Sequence, residues 1–141
     1  MKLWLGLILC TGYLLISTAK AEQWHIASPN GEIKVQLELT ADALQYQVKF
    51  QQQPVIKASK LGLAFKNQAK LQSNLQVTKV AERQQDQSWQ PLWGQRAIIR
   101  DNFREITLTL RETGDKARQL QLVFRVYDDG VAFRYKVPAQ A

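Results

Sequence analysis

From residue 33 onward, apolar side chains return at every second position. Ile33, Val35, Leu37 and Leu39 alternate with Lys34, Gln36 and Glu38, and Leu44, Tyr46, Val48 and Phe50 alternate with Gln45, Gln47 and Lys49. Ile106, Leu108 and Leu110 alternate with Thr107 and Thr109, and Leu120, Leu122, Phe124 and Val126 continue the pattern. This period puts one set of side chains in a core and the other in water, which is the signature of half-buried strands. Turn chemistry separates the runs: Pro29-Asn30-Gly31, Thr40-Ala41-Asp42, Gln51-Gln52-Gln53-Pro54, Gly114-Asp115-Lys116 and Asp129-Gly130. Residues 61–65 and 75–81 read as further strands, and the polar, Gln-rich run 83–88 reads as a long surface loop. No stretch carries a helical period. The fold class is therefore all-β, an antiparallel β-sandwich.

The segment 124–135 is the sharpest local signal. Apolar residues alternate on both sides of Asp128-Asp129-Gly130, and Asp-Gly favours a two-residue hairpin loop because both central positions want positive φ. With Asp129-Gly130 as the loop, Asp128 faces Val131, Val126 faces Phe133, Phe124 faces Tyr135 and Leu122 faces Val137. Phe124, Val126, Phe133 and Tyr135 then share one buried face. Arg125 and Arg134 pair on the other, which is unfavourable unless a carboxylate lies against them.

The first 21 residues read as an export signal. Met1-Lys2 opens with positive charge, residues 3–16 are mostly apolar, and Ala19-Lys20-Ala21 supplies a small-x-small cleavage site. The apolar run is shorter than the roughly 20 residues a spanning helix needs. Cys10 lies inside it, after Leu9 rather than a small residue, so it does not read as a lipoprotein cysteine. Residues 22–141 then form one domain, periplasmic or secreted, with no membrane segment after cleavage. Cys10 is the only cysteine, so this domain has no disulfide to lean on and must hold together by packing. Losing Lys2 and Lys20 leaves 17 basic against 12 acidic residues, a net +5. The basic residues are scattered singly and form no Lys/Arg stripe, which argues against nucleic acid and suits an anionic envelope or an acidic partner domain.

Three motifs, in order, carry a resemblance. They are Trp89-Gln90-Pro91-Leu92-Trp93-Gly94, then residues 99–105 (Ile-Arg-Asp-Asn-Phe-Arg-Glu), then the hairpin at 124–135. From about Ile26 to the end, the chain resembles the N-terminal domain of glycoside hydrolase family 97, whose members are secreted bacterial α-glucosidases and α-galactosidases. The resemblance implies a sandwich of the galactose-mutarotase-like supersandwich type, placed ahead of a catalytic (β/α)8 barrel. In that family the sandwich has more strands after this hairpin, so residues 22–141 read as an incomplete domain with an open edge.

Glycoside hydrolysis needs two carboxyl groups across the scissile bond. Asp128-Asp129 is the tempting pair, but Asp in a hairpin turn more often bonds its own backbone. By the resemblance, the catalytic glutamates sit on the barrel, and calcium is held by the barrel and a later part of the sandwich. No catalytic, metal or cofactor residue is assigned within this chain, which is not an enzyme by itself. Carbohydrate-contact candidates are Trp89, Trp93, Asn102 and Glu105. Indole faces stack on the apolar face of a pyranose, although these two more readily plug a sheet edge or a sheet-to-barrel interface. Glu105 suits neutralising Arg125 and Arg134 better than touching sugar. Trp24 closes the first strand, and His25, the only histidine, has no partners for catalysis. The expected partners are an α-glucan or α-galactoside and a glycosidase barrel in cis or in trans. A free-standing periplasmic carbohydrate-binding or protein-interaction module is the alternative.

Overall fold

The computed structural model describes residues 21–115 and 117–139. The export signal falls on residues 1–20 and its cleavage site, and so lies outside the described residues but for Ala21. Eight strands follow one another: β1 (Glu22–Ala27), β2 (Ile33–Leu39), β3 (Leu44–Phe50), β4 (Gln53–Leu61), β5 (Leu75–Trp89), β6 (Ile99–Glu112), β7 (Gln119–Tyr127) and β8 (Val131–Lys136). No helix forms among the described residues. The first four strands make one antiparallel sheet in the order β1-β2-β3-β4, and the last four make a second, β5-β6-β7-β8. Each sheet is a meander, so within each sheet every strand pairs with the strand next to it in sequence.

The two sheets face each other through the residues that the alternation singled out. Val35, Leu37, Leu39, Leu44 and Val48 from the first sheet meet Ile106, Leu108, Leu110, Leu120, Leu122, Phe124 and Val126 from the second, all buried. Each such side chain contributes about 1.5–3 kcal/mol by leaving water. Tyr46 bridges the layers, its ring 5.4 Å from Phe124 and 5.5 Å from Phe133, while Phe124 and Phe133 stack at 5.1 Å. Two polar tethers cross the same gap. The Asn30 N–H donates to the Asp128 Oδ1 at 2.9 Å, and the Gly62 N–H donates to the Tyr135 hydroxyl at 3.0 Å. Glycine at 62 also allows the close pass of the segment at 71–72, because a Cβ there would sit 2.9 Å from the Gln72 side chain and 3.0 Å from the Leu71 carbonyl oxygen. Ser28, fully buried, is satisfied: its Oγ accepts from the Ile33 N–H and donates to the Asn30 Oδ1.

Three local expectations are corrected. The C-terminal hairpin turns at Asp128-Asp129, with Tyr127 N–H donating to the Gly130 carbonyl at 2.8 Å, and its register pairs Phe124 with Phe133, Leu122 with Tyr135 and Val126 with Val131. Gly130 does not use a positive φ, so the Asp-Gly preference is not exercised here. The register differs from the expected one by two residues in the pair sum, which keeps the same face inside and only changes who sits opposite whom. Arg125 therefore faces Ala132, and Arg134 faces Val123. Phe124 and Val126 are fully buried as expected, but Phe133 keeps 43% of its surface exposed on the edge strand.

The run 83–88 is strand rather than loop: β5 continues unbroken for 15 residues. Residues 61–65 are not a strand beyond the end of β4. Only Leu63 pairs there, in an isolated bridge to Leu71. The turn between β3 and β4 uses Gln51 and Gln52, both at positive φ (46° and 70°), and Pro54 lies within β4 at the sheet edge, where a missing N–H is tolerated.

The two phenylalanines of the hairpin separate packing from mere contact. Phe124→Ala is expected to cost about 3–5 kcal/mol in urea unfolding. Phe133→Ala, at a half-exposed edge, should cost less than half as much. Equal losses would place both rings in the core and contradict the edge position of β8.

Candidate functional site

The second sheet carries its polar chemistry on its outer face and on an arm that outruns its neighbours. β5 and β6 pair from Leu75 with Glu112 to Trp89 with Ile99, whereas β7 stops pairing with β6 at Phe103. Beyond that point the hairpin is a two-stranded ribbon. Its far side chains are bound across the pair: Arg100 reaches Asp86 through Nε at 2.8 Å and Nη2 at 2.6 Å, and the Gln85 amide donates to Asp101 at 2.9 Å. The tip, residues 90–98, holds Pro91, Leu92, Trp93 and Gly94. Leu92 is fully exposed, Trp93 is 88% exposed, and Trp89 and Ile98 beside them are at least half exposed. Four large apolar side chains thus stand exposed within ten residues of one another at the end of a polar arm.

Where the ribbon leaves the sheet, Glu105 joins three strands. Its Oε1 accepts from Arg83 Nε on β5 at 3.1 Å, and its Oε2 accepts from Arg125 Nε on β7 at 2.6 Å and from Arg83 Nη2 at 3.2 Å. The carboxylate is only 12% exposed. Beneath it lies Phe103, which alternation puts on the outer face yet which is wholly buried. Arg125 covers that ring at 4.3 Å, Arg83 at 5.2 Å, and Tyr127 lies against it at 5.4 Å. Cations held over an aromatic face add to the ion pairs. Burial pushes the Glu105 carboxyl up, but the hydrogen bonds and charges of Arg83 and Arg125 outweigh it and hold it below the ordinary value of 4.5.

The four sugar-contact candidates do not converge. Trp89 and Trp93 sit at the ribbon tip, and Glu105 is six residues along β6 from the partner of Trp89, or about 20 Å at 3.3 Å per residue. Asn102, paired with Asp86, projects from the face of β6 opposite to Glu105 by strand alternation. Glu105 is engaged by two arginines, as its expected role of neutralising Arg125 requires, although Arg134 is not its second partner. That second partner is Arg83, hidden from sequence reasoning because its segment reads as loop. Asp128, the tempting catalytic carboxylate, is tied to the Asn30 amide. Among the described residues, no group of three or more His, Cys, Asp or Glu is placed to hold a metal ion.

Two broad clefts flank this arrangement. One, of about 440 Å³, lies under the arm between β1 and the β5–β6 pair, with His25, Glu82, Gln84 and Arg104 along it. The other, of about 460 Å³, opens between the sheets at Phe50, Val55, Ile56 and Val131 and is mainly apolar.

Residues 26–141 match the family described as the glycosyl-hydrolase 97 N-terminal domain. A probable retaining α-galactosidase of Streptomyces bingchenggensis (strain BCW-1) is 28% identical over 127 residues, 85% of this chain and 19% of that protein. Among solved structures, a glycoside hydrolase family 97 enzyme from Pseudoalteromonas sp. strain K8, in complexes with panose and with acarbose, superposes with a TM-score of 0.79 at 32% identity. The match covers 84% of this chain and 18% of that one. A β-arabinopyranosidase shares the fold at TM-score 0.74 and 23% identity. The chain thus spans about a fifth of the length of these relatives.

The Glu105 cluster makes a pH test. Because its folded pKa is depressed, the stability it contributes is full above the ordinary carboxylate value and is lost as pH falls through the folded one. Glu105→Gln should destabilise the domain by about 1–3 kcal/mol at neutral pH, and the gap to wild type should close as the pH drops below 4.5. Parallel pH profiles for the two proteins would remove Glu105 from the network.

Proposed function

This chain belongs to the glycosyl-hydrolase 97 N-terminal family, and from that we propose that it is the non-catalytic first module of an exported α-glycosidase. Its task is to dock against a catalytic domain, in cis or in trans, through the tip of the β5–β6 ribbon. The observation that carries this reading is the cluster of Trp89, Leu92, Trp93 and Ile98, presented to solvent at the end of a polar arm. Large apolar side chains in that position are covered in a working assembly, and aromatic anchors dominate such contacts. At the seam with a catalytic domain, the two indoles would also offer stacking faces to an α-glucan or α-galactoside.

The carboxylates support the absence of catalysis. Hydrolysis of a glycoside asks for one proton-donating carboxyl and a second carboxylate across a sugar-sized gap. Glu105 is held ionised between two guanidiniums, Asp86 pairs with Arg100, Asp101 accepts from Gln85, and Asp128 accepts from Asn30. Each of these carboxylates is therefore taken up by a hydrogen-bond donor of this domain. The apolar leader, by the reading above, sends the module to the periplasm or the medium.

The purified chain should hydrolyse neither a nitrophenyl α-glucoside nor a nitrophenyl α-galactoside. The double substitution of Trp89 and Trp93 by Ala should leave unfolding within about 0.5 kcal/mol of wild type, as befits exposed sites. It should abolish association with a family 97 catalytic domain expressed separately, followed by sedimentation. Turnover by the chain alone would overturn the module reading, and undiminished association of the double variant would move the docking surface away from the tip.

A further inference from the structure

The two arginines of the C-terminal hairpin lie on one face but are not paired with each other. Arg125 sits opposite Ala132, and Arg134 sits opposite Val123. They are therefore diagonal neighbours, about 7–8 Å apart at the backbone, a span that long side chains close easily. Because Ala132 and Val123 are short, a cleft of about 210 Å³ opens between them, lined by Val123, Arg125, Tyr127, Ala132, Phe133 and Arg134. Arg125 is held in place by Glu105 at 2.6 Å and by the face of Phe103 at 4.3 Å. Arg134 is exposed and forms no ion pair or hydrogen bond among the described residues. Glu105 is taken up by two guanidiniums, those of Arg83 and Arg125, and the third on this face, that of Arg134, has no carboxylate bound to it among the described residues. The charge imbalance lies on the Arg134 side of the cleft.

We propose that this cleft binds the carboxylate of an acidic sugar, a uronate, between the Arg125 and Arg134 guanidiniums. Planar forks suit a carboxylate, which each can meet through two donors. One fork is already immobilised by its own partners, so little ordering is left to the bound state. The floor of Val123 and Ala132 and the wall of Tyr127 give the remaining ring an apolar surface to lie on, and a bare phosphate would make no use of it. A cleft of this size, below the usual range for larger ligands, takes a single ring rather than a chain. The site is independent of the ribbon tip and needs no catalytic domain.

The test is an NMR titration of the ¹⁵N-labelled chain with glucuronate, glucose and inorganic phosphate. Glucuronate should move the Ala132, Arg134 and Tyr127 amides in a saturable way, and glucose should leave them in place. Arg134→Ala should weaken glucuronate about tenfold, the scale of a lost charged hydrogen-bond pair, with an unchanged thermal melt. Arg134→Lys, which keeps the charge and loses the fork, should fall between. The proposal is overturned if glucuronate fails to move these amides, if glucose moves them equally, or if Arg134→Ala binds as wild type does. Phosphate binding as tightly as glucuronate would also overturn it, since the apolar floor would then play no part.

Discussion

With no disulfide available, the domain depends on the meeting of two apolar faces about one side chain thick. Phe124 lies at their centre. It stacks on Phe133 within its own sheet and meets Tyr46 across the gap, so it couples the hairpin geometry of one sheet to the seating of the other. The polar tethers from Asn30 to Asp128 and from Gly62 to Tyr135 sit on either side of that contact. They add little free energy of their own, as hydrogen bonds exchanged with water do, but they fix how one meander is placed over the other. Hydrophobic burial has no direction, and these two bonds supply one.

Outside the core the second sheet follows a different physical rule. Phe103 is buried without facing the first sheet, because Arg83, Arg125 and Tyr127 close over it. Long cationic side chains cover apolar surface with their stems while their heads remain hydrated. Glu105 then keeps those heads in place. A small satellite cluster forms on the wet side of the sheet, and it serves as the base from which the ribbon projects and as the fixed wall of the hairpin cleft.

The legible part of this architecture was the part that faces the core. Alternation located β2, β3, β6 and β7, because a face pressed against another sheet must be apolar at every second residue. It failed for the second half of β5, where residues 83–88 are polar at every position as the strand runs out past Gln85 into the two-stranded ribbon, so nothing in their polarity separates strand from loop. The hairpin register was open for a related reason. Two registers differing by one residue on each strand bury the same side chains, so alternation cannot separate the expected Asp129-Gly130 loop from the Asp128-Asp129 turn that forms. The turn after β3 was legible in Gln51-Gln52-Gln53-Pro54, but its left-handed conformation at Gln51 and Gln52 was not, since glutamine is not a residue expected at positive φ. For the candidate site, Glu105 was correctly matched to Arg125, while the distance of Trp89 and Trp93 from it depended on the length of a strand that sequence did not reveal.

The position of the Glu105 cluster has a mechanical consequence. Three hydrogen-bonded strands resist bending far more than two, and the third strand ends at Phe103. Flexing of the arm is therefore concentrated along that line, where Arg83 on β5, Glu105 on β6 and Arg125 on β7 splice the strands together. The splice works as a fulcrum. A small rotation there becomes a wide sweep of Trp93 at the far end, and whatever holds the tip in turn holds the tilt of the whole lever.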